Sequence, residues 1–331
     1  MSDKKQNVYV VWNPFQRRAE SLGALLGLRT IYVHFKWEER GRLFKAMSYI
    51  PKMYLTLRVL LKNKPKYVFL QLAPTILLYT AAIYKLLTGN RYISDCHNTM
   101  IYDDHWIKWP FAKRLLRGSY ITLVHNEDVH VMADHLHIES MILRDPLPLM
   151  TVPDDIREVA GIDLRETAYV IIPCSMAADE PVQELIAAAQ AVPDVLFVMT
   201  WFREKLPAEL RTQAPDNVRF TGFLAEPEFN ALYAHANAAL VLTTREGTQP
   251  SGAAEAISLG VPLVVSQLKT TTRLYKEAPV YVSNDVSSIT AGVRRALESS
   301  ETLSKSIAEL RDSLIEEAGS QIESVKMLMN Q

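Results

Sequence analysis

The chain has 331 residues, long enough for two domains with separate cores. It is 48% hydrophobic and 22% charged, as soluble α/β proteins are, and its formal net charge of −1 gives no reason to expect nucleic acid as a partner. Cys96 and Cys174 are the two cysteines, too few for a disulfide framework, so a reducing, cytoplasmic setting is expected.

The opening residues, MSDKKQNVYVVWNPF, lack the apolar core of a signal peptide. Apolar runs suited to buried parallel strands follow at Val8–Trp12, Thr30–Phe35, Tyr67–Leu72, Tyr92–Asp95, Ile121–His125 and Ser140–Leu143. Helix-period stretches lie between them, notably Arg42–Leu61, Ile76–Leu87 and Val129–His137. Tyr67 to Tyr84 carries no charge, but Pro74 interrupts it and Gln71, Thr75 and Thr80 dilute it. A strand and a core helix are expected there rather than a membrane span.

Residues 144–167 collect three prolines and several charges, and place a linker at 151–167 between a first domain over 1–150 and a second over 168–300. The second half repeats the plan, with strands at Tyr169–Pro173, Leu196–Thr200, Val218–Thr221, Ala239–Leu242, Pro262–Val265 and Val280–Val282. Its helices are expected over Pro181–Ala191, Glu226–Ala234, Gly252–Leu259 and Ile289–Glu298. Apolar residues from Leu303 to Met329 continue at spacings of three and four, so residues 301–331 read as a helical tail packing on the body. The predicted fold class is α/β, two doubly wound Rossmann-like domains facing a cleft where ligands bind.

The most informative stretch is TTREGTQPSGAAEAISLGVPLVVS, residues 243–266, which reads as strand, loop, helix start and second buried strand. A helix start leaves amides unpaired and carries about half a positive charge. Small residues at Ser251, Gly252, Ala253 and Ala254 let an anion approach it closely. Glu246 and Glu255, on either side of this turn, suit sugar hydroxyls flanking a diphosphate. A P-loop is excluded, because Ala253 and Ala254 stand where Lys and Ser/Thr are required, and no G-x-G-x-x-G occurs.

These residues resemble the nucleotide-binding domain of GT-B glycosyltransferases, especially family 4, whose members carry E-x7-E followed by EA, a small residue, G and P. The matching text is Glu246, then Glu255-Ala256, Gly260 and Pro262, with Asn217 to Phe223, Phe229 to Tyr233 and Ala236 to Leu240 upstream. In the first half, Ile93-Ser94-Asp95-Cys96-His97-Asn98 is similar to the strand-end histidine segment of these enzymes and to the D-x-H-N of β-mannosyltransferase relatives. Two departures stand out. Eight residues stand between the glutamates rather than seven, and the basic G-x-x-x-x-K-G segment is replaced by Cys174-Ser175-Met176-Ala177-Ala178-Asp179-Glu180, with no lysine to face the donor diphosphate.

The resemblance implies that Glu255 bonds the donor ribose and that Glu246 orients the donor sugar or stabilises the reacting centre. Thr248, Ser251 and Gly252 would line the phosphate approach. With the family lysine absent, Arg203 and Lys205 are the expected diphosphate cations, or else solvated loop charges. Gly222 and Phe223 border the base, or Phe223 belongs to the core. His97 and Asp95 are candidates for sugar contact or proton transfer at a strand end, with Asp103 and Asp104 as further bases should the reaction invert. Asn13, Arg17 and Arg18 follow the first strand, where an acceptor phosphate would approach. No cofactor or metal site is expected: Asp103-Asp104 and Asp154-Asp155 have no further ligand at metal spacing.

Residues 36–66 hold nine Lys/Arg against Glu38 and Glu39, a surplus of seven, beside Leu43, Met47, Ile50 and Tyr54 at helical spacing. Trp106, Trp109, Phe111, Lys113 and Arg114 form a second basic-aromatic cluster within 106–117. The pattern reads as membrane-surface docking or as a solvated helix face over a core. The expected function is transfer of a hexose from a nucleotide diphosphate sugar to a glycan acceptor, lipid-linked, at the inner face of a membrane. The alternatives are a non-catalytic GT-B module that scaffolds a partner enzyme and an epimerase on the same architecture.

Overall fold

The computed structural model describes residues 6–96, 98–101 and 105–330. The chain divides into two compact units, one running to Pro146 and taking in the segment from Glu316 onward, the other spanning Leu147–Ile315.

The first unit alternates β1 (Val8–Val11), α1 (Arg17–Leu26), β2 (Arg29–Tyr32), α2 (Arg42–Asn63), β3 (Tyr67–Leu72), α3 (Thr75–Thr88) and β4 (Arg91–Cys96). It continues through α4 (Asn98–Ile101), α5 (Ala112–Arg117), β5 (Thr122–Val124), α6 (Glu127–His135) and β6 (Ser140–Ile142). The six strands are parallel in the order β2-β1-β3-β4-β5-β6. Every residue of β1 and β3 is buried, as befits parallel strands covered on both faces. Tyr9, Val11 and Phe69 pack with Leu22 and Leu26 of α1 on one face. On the other, Val10, Leu70 and Leu72 share a core with Leu60 of α2, Leu77 of α3 and Leu116 of α5. The chain reverses direction across this sheet between β1 and β3, the kind of switch point where ligands bind.

The second unit opens with an antiparallel ribbon, β7 (Glu158–Val159) and β8 (Ile162–Asp163). Then come β9 (Tyr169–Ile172), α7 (Val182–Ala191), β10 (Leu196–Met199), α8 (Ala208–Gln213), β11 (Val218–Phe220), α9 (Glu226–Ala234) and β12 (Ala238–Val241). It closes with α10 (Ser251–Leu259), β13 (Leu263–Ser266), α11 (Lys269–Tyr275), β14 (Val280–Val282) and α12 (Val286–Glu298). Its six main strands are parallel in the order β11-β10-β9-β12-β13-β14, so the switch point falls between β9 and β12. The long last helix, α13 (Ser300–Asn330), supplies Ile307 and Leu310 to the second unit's core and Ile322 and Val325 to the first unit's.

Two parallel-sheet α/β units are therefore present, as the apolar runs predict. The expected strand Thr30–Phe35 ends earlier, at Tyr32, because Glu38 accepts the Phe35 amide at 2.9 Å and starts a 3-10 turn over Lys36–Arg40. The charge-free stretch splits at Pro74 into β3 and α3, and among the described residues no helix is long and apolar enough to cross a membrane.

Candidate functional site

The first turn of α10 sits on the switch point of the second sheet. A Cβ placed on Gly252 would lie 2.6 Å from the Pro173 side chain, just past β9, and 3.3 Å from both methyls of Val241, the last residue of β12. Glycine at this position lets the helix start press against both strand ends. No side chain caps that start: Pro250 precedes it in an extended conformation, and Ser251 is exposed. One turn on, Glu255 is buried rather than solvated. Its charge reaches Tyr233, whose hydroxyl donates to the Gly252 carbonyl at 2.7 Å.

Glu246 lies in the loop before α10 and faces the start of α11. Its carboxylate accepts the backbone amides of Lys269 at 3.1 Å and Thr270 at 3.3 Å, and the Thr270 hydroxyl at 3.3 Å. Negative charge at a helix start is favourable, and here it anchors α11. Gly247 adds a bond from its amide to the Thr270 hydroxyl, and the half-buried Thr248 follows in the same loop. The Glu246 carboxylate thus fixes the loop before α10.

The loop after β9, where the family lysine would stand, is closed by its own acids. Glu180 accepts the Ser175 amide at 3.0 Å and hydroxyl at 2.6 Å, with the Cys174 thiol at 3.3 Å. Asp179 accepts the Thr243 hydroxyl at 2.6 Å, joining this loop to the one after β12. Burial, and then the Glu180 charge, push the Cys174 thiol up to about 12.

Arg203 and Lys205 occupy an exposed 3-10 turn beyond β10. The Lys205 ammonium lies 4.0 Å from the Phe202 ring centroid, within cation–π range. Gly222 turns the chain at φ 71 beside Phe202, and Phe223 is 85% exposed, which removes it from the core. Sequence reasoning passed over Arg245, an exposed cation between β12 and α10 and nearer in sequence to the helix start than Arg203. The signal was present, a lone basic residue inside the T-T-R-E-G-T segment.

In the first unit Asn13 follows β1 at the switch point and donates to the Gln71 side chain of β3 at 3.3 Å. Arg17 is exposed at the start of α1. Arg18 and Asp95 depart from the expected roles. Arg18 is buried, bonds both Asp95 oxygens at 2.8 and 2.9 Å, and reaches Asp145 at 2.6 Å and the Leu143 carbonyl at 2.8 Å. Tyr9 also donates to Asp95. Burial works against the Arg18 charge, but the two aspartates outweigh it and raise its pKa well above the ordinary value. The pair is a buried internal brace, whereas the expected roles call for charges open to a ligand. His97, Asp103 and Asp104 lie outside the described residues. Asp154 and Asp155 are exposed, and among the described residues no three His, Cys, Asp or Glu side chains gather as a metal site would need.

Two units of parallel sheet with this strand order define the GT-B fold of glycosyltransferases. Residues 170–299, the bulk of the second unit, match the model of the family described as Glycosyl transferases group 1. Solved structures agree over nearly the whole chain. A sucrose-phosphate synthase from Thermosynechococcus elongatus superposes with a TM-score of 0.71 at 13% identity, covering 98% of this chain and 99% of that one. HepE of Anabaena in complex with UDP gives 0.70 at 13% identity, covering 97% and 99%. The trehalose-6-phosphate synthase OtsA gives 0.68 at 10% identity, covering 98% and 99%. No curated protein matches at the sequence level.

Proposed function

We propose that this protein is a glycosyltransferase that takes a hexose from a nucleotide diphosphate sugar and places it on a lipid-linked glycan at a membrane surface. The observation that carries the reading is the uncapped α10 start pressed onto the β9/β12 switch point, with buried Glu255 one turn behind it. Helix-start amides there suit a diphosphate, and Glu255 suits ribose hydroxyls. Arg245, with Arg203 and Lys205, replaces the absent family lysine as the source of positive charge. Glu246 contributes by fixing the loop. UDP is the first nucleotide to try, because HepE has been solved with UDP and with UDP-glucose. The family 4 resemblance carries retention at the anomeric carbon and a reaction without metal, and His97 is its candidate for contact with the transferred sugar. Asn13 and Arg17 are the acceptor-side candidates at the first switch point.

The test is thermal stabilisation by UDP, GDP and CDP. A ligand at a hundred times its Kd stabilises the fold by about 2.7 kcal/mol. Stabilisation by one of the three, reduced in Glu255→Gln, supports the reading. Indifference to all three favours the second reading, a non-catalytic module that scaffolds a partner enzyme. That alternative is motivated by Asp179 and Glu180 closing the loop where a lysine would face the diphosphate.

A further inference from the structure

Ser48, Lys52, Thr56 and Leu60, at a spacing of four, form the buried stripe of helix α2, so three of its four buried residues are polar, while Leu43, Met47, Ile50 and Tyr54 on the opposite side are 71%, 57%, 78% and 64% exposed. The buried polar groups are satisfied. Lys52 bonds Glu38 at 2.6 Å and the Trp12 carbonyl at 2.9 Å, Thr56 accepts the Trp12 indole at 3.0 Å, and Ser48 bonds the Lys45 carbonyl at 2.7 Å. These bonds fix the orientation of the helix, and with it the outward apolar face of Leu43, Met47, Ile50 and Tyr54.

From this we infer that the outer face of α2 is a docking surface for a bilayer rich in anionic lipid, one that deepens the lipid-linked reading of the acceptor. Charge complementarity selects the occupant. With Lys52 and Glu38 buried against each other, the exposed groups of residues 36–66 are eight cations and the single carboxylate of Glu39. Helix α2 itself contains no acidic residue. Basic segments of this density are drawn to anionic leaflets, while apolar side chains enter the acyl boundary and Tyr favours the interface. A second copy stacked through the same face would bring like charges together. Helices α3 and α5 pack on the same core as α2 and carry exposed apolar residues of their own, with Leu86 86% exposed and Phe111, just before α5, 69% exposed. Where α2 and α3 end, a cavity of about 550 Å³ is lined by Lys64 and Lys66 beside Leu61 and Leu87, a seat for a phosphodiester headgroup next to an acyl chain.

The test is co-sedimentation of the full chain with vesicles of phosphatidylcholine alone or mixed with phosphatidylglycerol. The wild type binds the mixed vesicles, less so in high salt. Ile50→Ser/Tyr54→Ser lowers the partition about tenfold or more through lost apolar burial. Its melting temperature and nucleotide stabilisation remain unchanged. Lys64→Ser/Lys66→Ser weakens the preference for phosphatidylglycerol. Equal binding to both vesicle types, wild-type partition by the Ile50/Tyr54 variant, or a dimer in solution that this variant dissolves would each overturn the proposal. Nucleotide stabilisation of the same variants reports on the second unit separately, so loss of vesicle binding and loss of donor binding are told apart.

Discussion

Tyr233 donates its hydroxyl to the Gly252 carbonyl at 2.7 Å and so ties α9 to the first turn of α10. Burial, and then the neighbouring Glu255 charge, raise the Tyr233 pKa well above 10.0, so the hydroxyl keeps its proton and remains a donor throughout the neutral range. The first turn of the candidate site is therefore fixed from behind before any ligand arrives. Tyr233→Phe is expected to cost about 0.5–1.5 kcal/mol of stability, the net worth of a typical hydrogen bond, and to weaken nucleotide binding only slightly. Urea unfolding alongside nucleotide titration separates the two effects.

Glu255 carries the sharper prediction. Glu255→Gln keeps the shape of the side chain and removes its charge, and should cost about 1.5–3 kcal/mol in donor affinity, roughly ten- to hundredfold. Calorimetric titration with the nucleotide found in the screen measures it. Equal affinity of variant and wild type would mean that the ribose lies elsewhere.

Gly252→Ala asks whether the close approach of α10 matters. The added methyl would sit 2.6 Å from Pro173, so the helix start must shift. Overpacking of this kind costs about 1–3 kcal/mol. Donor affinity should fall together with the denaturation midpoint, and an unchanged midpoint would show that the contact is slack.

The Arg18–Asp95 brace predicts an asymmetry. Breaking a buried pair from one side leaves a charge without compensation, and Asp95→Asn or Arg18→Met should each lose about 3–5 kcal/mol. The double variant Arg18→Met/Asp95→Leu should be less destabilised than the sum of the single changes. A double-mutant cycle in guanidinium gives the coupling directly, and simple additivity would remove the brace.

Cys174 offers a pH test. Its thiol, pushed up to about 12 against an ordinary 9.0, keeps its proton in the folded state over a range where the unfolded chain has lost it. The group thus contributes stability that is complete below about pH 9 and is lost as the pH climbs toward 12. Since the thiolate is the reactive form, alkylation of Cys174 by iodoacetamide should be slow at pH 8. It should quicken in Glu180→Gln, which removes the second cause of the shift. Rapid alkylation of the wild type at that pH would contradict the Cys174–Glu180 contact.

Much of the fold was legible because parallel strands buried on both faces must be apolar along their whole length. Ala238–Val241 and Leu263–Ser266 show this within the 243–266 region and just before it. The start of α10 was legible for a similar reason, since Ser251 to Ala254 is a run of small residues after a proline. What stayed hidden depends on partners distant in sequence. Lys52 reads as one more surface cation until Glu38, fourteen residues earlier, is seen beside it. Glu246 reads as a ligand-facing acid until the start of α11, more than twenty residues on, is found donating its backbone amides to the carboxylate. Arg18 lies 77 residues from Asp95, and no local pattern joins them.

The first unit's interior is not encoded in one continuous stretch. Ile322 and Val325, near the far end of the sequence, fill space against Tyr9 and Leu22 near its beginning. A fragment cut after Pro146 would lack those plugs and expose the groove they occupy. A ribosome that has finished this unit's strands still holds an incomplete interior, and its final closure must wait for the last segment to be synthesised.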